Sequence, residues 1–346
     1  MKRIDRAKSL LLQHQVQALL ISDPIDLYYL TGQRVSVGKL LITEGKTTFF
    51  VDGRYFEECR TSGLALEDIQ SLDSQLQKLS GKCAFDSAHL TYQQVEQLKE
   101  SKRELLPLPS MLAPFRAVKD PDEIALIKKA AALALKGVEK MVGILSEGIS
   151  ELELARELDY FWKGNGGERF SFDPIIAFGQ GSSKPHYHSS KRKLKYGDLV
   201  LMDMGVVVDG YASDITRVFA YGKADAELKN IYEIVWQAKE QAIQICRPAL
   251  SCDAIDQAAR EYITSKGYGE NFVHSTGHGI GLETHEFPYL RSGNQTAVQE
   301  NMVFTVEPGI YLPGLGGVRL EDMILVTADG FENLTPAFNS STLVCL

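Results

Sequence analysis

Two aspartates in the second half of the chain stand where a charged side chain could do chemistry. Asp203 follows four apolar residues in the segment 199–205, and Asp214 comes eleven residues later. An isolated carboxylate among apolar residues is unfavourable unless it has a partner. The turn-forming sequence Val208-Asp209-Gly210 lies between the two segments. If they form a hairpin around that turn, the two aspartates lie on neighbouring strands and form a carboxylate pair.

Three further residues fit the same chemistry. Glu307 follows the apolar run 303–306, Glu321 follows Val318-Arg319-Leu320, and His278 lies between glycines. Four carboxylates and an imidazole that converge would form an oxygen-rich site, which suits divalent manganese better than copper or an iron–sulfur centre. So many carboxylates can also bridge two ions about 3.5–4 Å apart with a shared hydroxide.

Each of these residues alone has an ordinary structural explanation. An aspartate near a strand end is usually a cap or a turn residue. Glu307 stands before Pro308-Gly309 and could open a turn, and His278 could be a loop histidine. Their joint occurrence favours a site, because five of the seven histidines fall within 100 residues together with the aspartate pair; they are His186, His188, His274, His278 and His285. From the residues alone, the prediction is a metal site and nothing more specific.

The length of 346 residues predicts about two domains at roughly 150 residues each. Hydrophobic residues make up 44% and charged residues 24%, which are ordinary globular values and exclude disorder, collagen and coiled coil. The proline-rich segment 105–114 is interpreted as a connector. The predicted domains are therefore 1–117 and 118–346.

Charge and cysteine content exclude several classes. The net charge of −8 disfavours nucleic-acid binding. No apolar run reaches the ~18 residues that span a bilayer, and the N-terminus lacks the apolar stretch of a signal peptide. The five cysteines are odd in number and never occur as C-x-x-C, so neither a disulfide scaffold nor a thiolate zinc site is expected. We expect a cytoplasmic protein without membrane or nucleic-acid partners.

The elements that would position these residues follow from periodicity and capping signals. In the first domain the pattern predicts α/β structure, with a helix over 4–12 and strands over 18–21, 39–43, 47–52 and 83–86. In the second it predicts helices from 121 and 151, then strands over 175–178, 199–207 and 210–220. Helices over 225–245 and 251–266 follow, with strands over 271–275, 302–307 and 318–326. Both halves of this domain run helix–helix–strand–strand–strand, which indicates an internal pseudo-repeat with a cleft between two α+β halves.

Three motifs of the second domain together resemble a known family. HSTGHGIGLETHE (274–286), VEPGIY (306–311) and VRLED (318–322) are similar to the pita-bread metallopeptidases of family M24. Within that family they resemble the Xaa-Pro aminopeptidases (aminopeptidase P) and Xaa-Pro dipeptidases (prolidases). YYLTG (28–32) and the junction around Arg116, Lys119 and Glu123 resemble the creatinase-type N-terminal domain. The resemblance implies an α+β pita-bread domain with a pseudo-twofold repeat after a smaller α/β domain.

The resemblance also implies a dinuclear centre and its ligands. Asp214 and Glu321 would bridge the ions, Asp203 would complete one ion, and His278 and Glu307 would complete the other. Manganese is the expected metal, with cobalt, iron and zinc compatible. A metal-bridging hydroxide would attack the bond between the N-terminal residue and proline. Glu307 would take its proton and pass it to the leaving nitrogen.

Further residues receive roles by the same resemblance. His285 and His274 would contact the substrate and stabilise the tetrahedral intermediate, and His186 would be another active-site histidine. Arg319 would orient the bridging carboxylates or the proline end of the substrate, with Tyr311 beside it. The implied substrates are small peptides with proline second, and the implied assembly is a homodimer. Both an aminopeptidase and a dipeptidase fit these motifs, because the difference depends on the room beyond proline.

Three other interpretations compete with this one. A methionine aminopeptidase-like peptidase shares the five ligands, but would not need the N-terminal domain. A metal-free, creatinase-like hydrolase lacks the carboxylate set. A pita-bread peptide-binding module without activity would have lost ligands, and the acidic cluster here would be costly without cations.

Overall fold

The structure of the chain, a computed structural model, describes residues 2–101 and 104–346. It divides into two compact units between Arg116 and Ala117, one residue before the predicted boundary. Among the helices of the described ranges, none combines the length and apolar character needed to cross a membrane.

The first unit is a mixed sheet with helices. Its helices are α1 (Lys2–Gln13), α2 (Pro24–Thr31), α3 (Phe56–Cys59), α4 (Leu72–Lys78), α5 (Tyr92–Glu100) and, ending at the boundary, α6 (Ala113–Ala117). Its strands are β1 (Ala18–Ile21), β2 (Gly38–Thr43), β3 (Thr47–Val51), β4 (Ala65–Asp68), β5 (Cys83–Asp86) and β6 (Leu105–Leu108). They form one sheet in the order β4-β3-β2-β1-β5-β6. The predicted α/β character of this unit is confirmed.

The interpretation of residues 105–114 as a connector is wrong at its start. Leu105–Leu108 is strand β6, which pairs in parallel with β5. The proline content was misleading because β6 is the edge of the sheet. An edge strand needs hydrogen bonds on one side only, so Pro107, which lacks an N–H, is tolerated there.

Four long helices begin the two halves of the second unit. They are α7 (Pro121–Ile144), α8 (Glu151–Gly164), α9 (Ala226–Gln244) and α10 (Cys252–Ser265). Both predicted capping boxes are confirmed: Asp120 accepts from the Glu123 N–H at 2.9 Å, and Ser150 accepts from the Glu153 N–H at 3.3 Å. Each box satisfies N–H groups that a helix start leaves unpaired.

The strands of the second unit follow each helix pair. After α8 come β7 (Arg169–Phe170), β8 (Ile175–Phe178), β9 (Leu199–Met204), β10 (Val206–Val208), β11 (Tyr211–Ala212) and β12 (Ile215–Ala220). After α10 come β13 (Gly277–Gly279), β14 (Glu286–Leu290), β15 (Val303–Val306), β16 (Gly309–Leu312), β17 (Gly316–Arg319), β18 (Asp322–Val326) and β19 (Phe331–Asn333). The sheet orders are β12-β9-β8, β11-β10-β7, β14-β13-β15-β18-β19 and β16-β17.

One strand prediction in this unit is wrong, and three others need correction. The predicted strand 271–275 does not form, because residue 271 ends a short 3₁₀ helix and residues 272–276 form no strand. The carbonyls of Phe272 and His274 accept from the side chain of Arg260 instead of a neighbouring strand. The predicted strands 199–207, 210–220 and 318–326 are each interrupted. Gly205 marks the first break, since a Cβ there would lie 1.9 Å from the Ser213 carbonyl oxygen.

The hydrophobic core of this unit follows the predicted repeat. One cluster joins α7 and α8 to β8, β9 and β10, through residues such as Val138, Leu158 and Met202. The other joins α9 and α10 to β15 and β18, through residues such as Val235 and Phe304. Each helix pair therefore packs on strands of its own half, and the second cluster also includes Leu201 of β9 and Val218 of β12.

Helix α7 packs closely on Trp162 of α8 at Gly137. A Cβ on Gly137 would lie 2.6 Å from the Trp162 indole nitrogen, which donates to the Leu133 carbonyl at 3.1 Å. The indole is buried and cannot shift without breaking that hydrogen bond. A glycine is therefore required where the two helices meet.

We expect Gly137→Ala to lower the free energy of unfolding by about 1–3 kcal/mol, because the added methyl group overpacks the core. Gly143→Ala on the same helix is the matched control. Outside the backbone of α7, no atom of the described residues lies within 4 Å of its Cβ position. That change is expected to raise stability by up to about 1 kcal/mol through helix propensity. Urea denaturation measures both, and equal stability of the two variants would contradict the close packing.

Candidate metal centre

Strand pairing brings the two aspartates together at one end of the first half. In the antiparallel pair β9–β12, Asp203 lies opposite Thr216 and Met204 lies opposite Ile215. Asp214 immediately precedes β12, so its side chain lies beside the end of β9. The predicted neighbourhood of the two aspartates is confirmed, although Asp214 lies just outside the regular strand.

The second half supplies the other three residues in the same way. Val306 lies opposite Asp322 in the pair β15–β18, so the adjoining residues Glu307 and Glu321 lie side by side beyond it. His278 is in β13, which pairs with β15 through Gly279. The carboxylates thus lie at or near strand ends, where the hydrogen-bond pattern of a sheet does not fix the direction of a side chain.

Within the described residues, three groups place their ligand atoms within 4.8 Å of one another. The groups are Asp203, Asp214 and Glu321; His278, Glu307 and Glu321; and Asp214, His278 and His285. Asp214, His278 and Glu321 each belong to two of these groups, so the three groups form one continuous cluster. His285, predicted to contact the substrate and stabilise the tetrahedral intermediate and not as a metal ligand, is also within reach of the cluster.

Two carboxylate oxygens in this cluster are buried and have no hydrogen-bond partner among the described residues. They are Oδ1 of Asp214 and Oε1 of Glu321. Burial and neighbouring carboxylates raise the pKa values of both residues well above the usual range. Both residues also place a ligand atom within 4.8 Å of the other, and divalent cations bind such groups of buried carboxylate oxygens, so these residues fit a metal site.

His278 and Glu307 form a close pair on the other side of the cluster. Nε2 of His278 lies 3.2 Å from Oε1 of Glu307 and 3.7 Å from Oδ2 of Asp214. Although burial raises it, the hydrogen bond and charge of His278 lower the pKa of Glu307 to about 2. Nδ1 of His278 lies 3.1 Å from the Gly279 carbonyl oxygen, which leaves Nε2 available as a ligand atom.

Arg319 connects the cluster to its surroundings. Its guanidinium forms an ion pair with Asp203 and donates to the Thr216 hydroxyl at 3.3 Å. Thr216 in turn donates to Oε2 of Glu321 at 2.8 Å. Arg319 therefore orients Asp203 directly and the predicted bridging residue Glu321 through Thr216.

A hydrogen-bond chain runs from Arg319 to His274. Arg319 donates to the Tyr311 hydroxyl at 2.7 Å, and that hydroxyl lies 2.9 Å from Nε2 of His274. Nδ1 of His274 lies 2.8 Å from the Ser275 carbonyl oxygen, so both ring nitrogens have partners. Burial lowers the pKa of His274 and raises that of Tyr311 to about 12, which keeps both side chains neutral.

These side chains line one cavity of about 410 Å³. Its walls include the five predicted ligands together with His186, His274, His285 and Arg319. Tyr311 does not line the cavity and acts behind Arg319 and His274. His188, predicted as a surface residue, is exposed and lines the cavity as well.

Two features of the cavity were not predicted from the sequence. They are its apolar wall and the buried Glu151, which holds the segment that carries two of its histidines. Phe172, Ile175 and Pro185 line the cavity, and no chemical signal in the sequence marks them. Glu151 is buried, and its carboxylate accepts from the Phe178 N–H at 2.9 Å and from the Ser190 N–H at 2.8 Å. These contacts hold both ends of the segment that carries His186 and His188. In the sequence, Glu151 is indistinguishable from an ordinary helix-start glutamate.

A carboxylate and histidine cluster of this kind is the ligand set of a divalent-metal hydrolase. Comparison with known families agrees: residues 125–328 match the model of Metallopeptidase family M24, and residues 3–118 match the Creatinase/Prolidase N-terminal domain. The chain belongs to metallopeptidase family M24. The recognised family, the fold class and the assignment as a hydrolase are confirmed.

Three relatives show how far the similarity extends. The chain is 34% identical to the Xaa-Pro dipeptidase of Pyrococcus furiosus, over 96% of this chain and 97% of that protein. The structure of an Xaa-Pro dipeptidase from Bacillus anthracis superposes with a TM-score of 0.96 at 35% identity, covering 100% of this chain and 99% of that one. The structure of an X-Pro aminopeptidase from Thermotoga maritima superposes with a TM-score of 0.90 at 30% identity, covering 99% of each chain.

We expect divalent-cation affinity to fall as the pH falls. Because the pKa values of Asp214 and Glu321 are raised, protons compete with a cation for these carboxylates at a higher pH than they do for exposed carboxylates. Each displaced proton makes the affinity about tenfold weaker per pH unit. Calorimetric titration of metal-free protein with Mn²⁺ at about pH 6 and 7.5, in buffers of different ionisation enthalpy, measures the effect. Equal affinity at both pH values would contradict the raised pKa values.

Proposed function

We propose that this protein hydrolyses the bond between an N-terminal residue and proline in small peptides. The observation that carries the proposal is the pair of buried, unpartnered oxygens of Asp214 and Glu321 at the wall of the histidine-lined cavity. The names of the full-length relatives support Xaa-Pro specificity. A peptide-binding module would have no need to keep two uncompensated carboxylates.

Five residues would hold two divalent cations here. They are Asp203, Asp214, His278, Glu307 and Glu321, whose ligand atoms lie close together in the cluster. Bound cations would lower the pKa of a water molecule and polarise the scissile carbonyl.

Glu307 is the group best placed to move the proton. Its pKa of about 2 keeps it ionised at neutral pH. It would accept a proton from water because bound cations would lower the pKa of that water. The leaving group is the ring nitrogen of proline, which leaves poorly unless protonated. We propose that Glu307 passes the proton to that nitrogen.

The cavity histidines would bind the substrate and the developing oxyanion. His186 and His285 line the cavity wall. Partial loss of solvent around the His285 ring lowers its pKa, and the nearby charge of His278 lowers it further. A neutral imidazole can donate an N–H to an oxygen that becomes negative in the transition state. The ring proton of neutral His274 is on Nδ1, which donates to the Ser275 carbonyl, so Nε2 accepts from the Tyr311 hydroxyl and has no proton to donate. We therefore propose that Arg319 and Tyr311 hold the His274 ring in place at the cavity wall.

Asp214→Asn and Glu321→Gln should each abolish cation binding and lower activity at least about a hundredfold, because each removes a charge from the ligand set. Asp209→Asn is the matched control. Asp209 is an exposed aspartate in the turn before Asp214, paired with Lys129 at 2.7 Å. Elemental analysis and release of free proline measure both properties. Full activity in either ligand variant would overturn the assignment, whereas the control is expected to retain metal and activity.

Two activities are candidates for this protein. Relatives named as Xaa-Pro dipeptidases make dipeptidase activity the first candidate. The similar structure of an X-Pro aminopeptidase makes aminopeptidase activity the second. Manganese-loaded protein would be offered an Xaa-Pro dipeptide, the matching Xaa-Pro-Xaa tripeptide and an Xaa-Ala dipeptide as control. We expect cleavage of the Xaa-Pro dipeptide alone.

The other outcomes of this assay are equally decisive. Cleavage of the tripeptide, with the dipeptide a poor substrate, would make the protein an aminopeptidase. No cleavage of either proline peptide while metal is bound would exclude both and favour a methionine-type peptidase. Manganese as the physiological metal, a homodimer and a cytoplasmic location belong to the same proposal and stay predictions.

A further inference from the structure

Helix α10 carries two charged residues one turn apart whose contacts lead to the metal centre. Asp256 is fully buried, and Arg260 is partly buried. Arg260 donates through Nε to Oδ2 of Asp256 at 2.8 Å and through Nη2 to Oδ1 at 2.9 Å. The two planar groups thus form a two-point ion pair, which fixes the orientation of both.

Both residues also bind the backbone that leads to His278. Arg260 donates to the carbonyl oxygens of Phe272 at 3.2 Å and His274 at 2.8 Å. The guanidinium also lies 4.2 Å from the centre of the Phe272 ring. Oδ1 of Asp256 accepts from the N–H and the hydroxyl of Thr276, at 3.1 and 2.7 Å. The pair therefore holds the backbone at residues 272, 274 and 276.

This segment depends on those contacts because residues 272–276 belong to no strand. Its far end is tied into the site, since the Thr276 carbonyl accepts from the Glu307 N–H at 2.7 Å. His274 lies two residues before Thr276, and His278 lies two residues after it. A shift of the segment would move His274 relative to the cavity.

An ordinary i,i+4 ion pair on a helix would stabilise that helix and little else. Three features separate this pair from that case. Its carboxylate is fully buried, the backbone groups it binds lie outside α10, and those groups flank a histidine of the cavity. Stabilisation of α10 alone would need none of these contacts.

We propose that Asp256 and Arg260 act together as a positioning unit that fixes His274 for the reaction. Arg260 holds the His274 carbonyl, and Asp256 fixes both Arg260 and Thr276. Neither residue lines the cavity, so both act through the segment 272–276. The kinetic consequence rests on the proposed function, whereas the structural consequence for the His274 ring does not.

The test is a double-mutant cycle between Arg260 and His274. Arg260→Gln, His274→Ala and the double variant would be compared for kcat and KM on an Xaa-Pro dipeptide with manganese. We expect Arg260→Gln to lower kcat about tenfold or more, with KM changed less than about threefold. In the His274→Ala background the same change should lower kcat by less than about twofold, because the effect passes through His274.

Two variants complete the design. Arg260→Lys keeps the charge but loses the planar fork, so its kcat is expected between those of wild type and Arg260→Gln. If Arg260→Gln does not fold, which thermal unfolding would show, Arg260→Lys takes its place in the comparison of kcat. Arg247→Gln, an exposed arginine before α10, is the matched control and should leave kcat and bound metal unchanged.

A second readout does not depend on activity. The His274 ring resonances, assigned by their loss in His274→Ala, should shift in Arg260→Gln and stay in place in Arg247→Gln. If wild type cleaves no Xaa-Pro peptide but this shift occurs, the proposed function fails and the positioning role stands. The positioning role is overturned by an unshifted His274 resonance, by kcat losses that multiply in the double variant, or by loss of bound metal in Arg260→Gln.

Discussion

The concentration of negative charge inside the second unit is the constraint on which the site depends. Asp203, Asp214 and Glu321 are buried with ligand atoms within 4.8 Å of one another. Arg319 compensates Asp203, but each of the other two keeps a buried oxygen with no partner in the described part of the chain. Burial of such charge is unfavourable without a counterion, so the folded protein is arranged to receive cations.

The neighbouring residue Asp322 shows that the lack of compensation at Glu321 is specific. Asp322 is fully buried, yet both of its oxygens are paired, with Arg217 at 2.7 Å and with Lys239. Although burial raises it, the charges of Lys239 and Arg217 lower the pKa of Asp322. Arg217 also donates to the Glu321 carbonyl, so the backbone of Glu321 is held while its carboxylate is left unneutralised. The first residue of β18 is thus a structural carboxylate, and the residue just before the strand is a carboxylate suited to bind metal.

The sequence predicts the parts of this arrangement whose signals are local. Capping at Asp120 and Ser150 marks two helix starts, and the motifs around His278, Glu307 and Glu321 indicate the ligand set and the family. The predictions failed where parts of the chain that are distant in sequence determine the local backbone. Residues 272–276 form no strand because Arg260 donates to the carbonyls of Phe272 and His274. Strand β6 can contain a proline because it lies at the edge of its sheet. Neither fact is visible in a window of neighbouring residues.

The pseudo-repeat explains how helices take part in a site whose ligands come from strands and strand ends. In the first half, Glu151 of α8 accepts hydrogen bonds from the backbone around His186. In the second half, Asp256 of α10 accepts from the backbone N–H of Thr276, between His274 and His278. The two carboxylates occupy different turns of their helices, so the halves share a role and not a sequence pattern. Because any buried carboxylate within reach can accept from a backbone N–H, the two halves can share this architecture without sharing the residues that hold it.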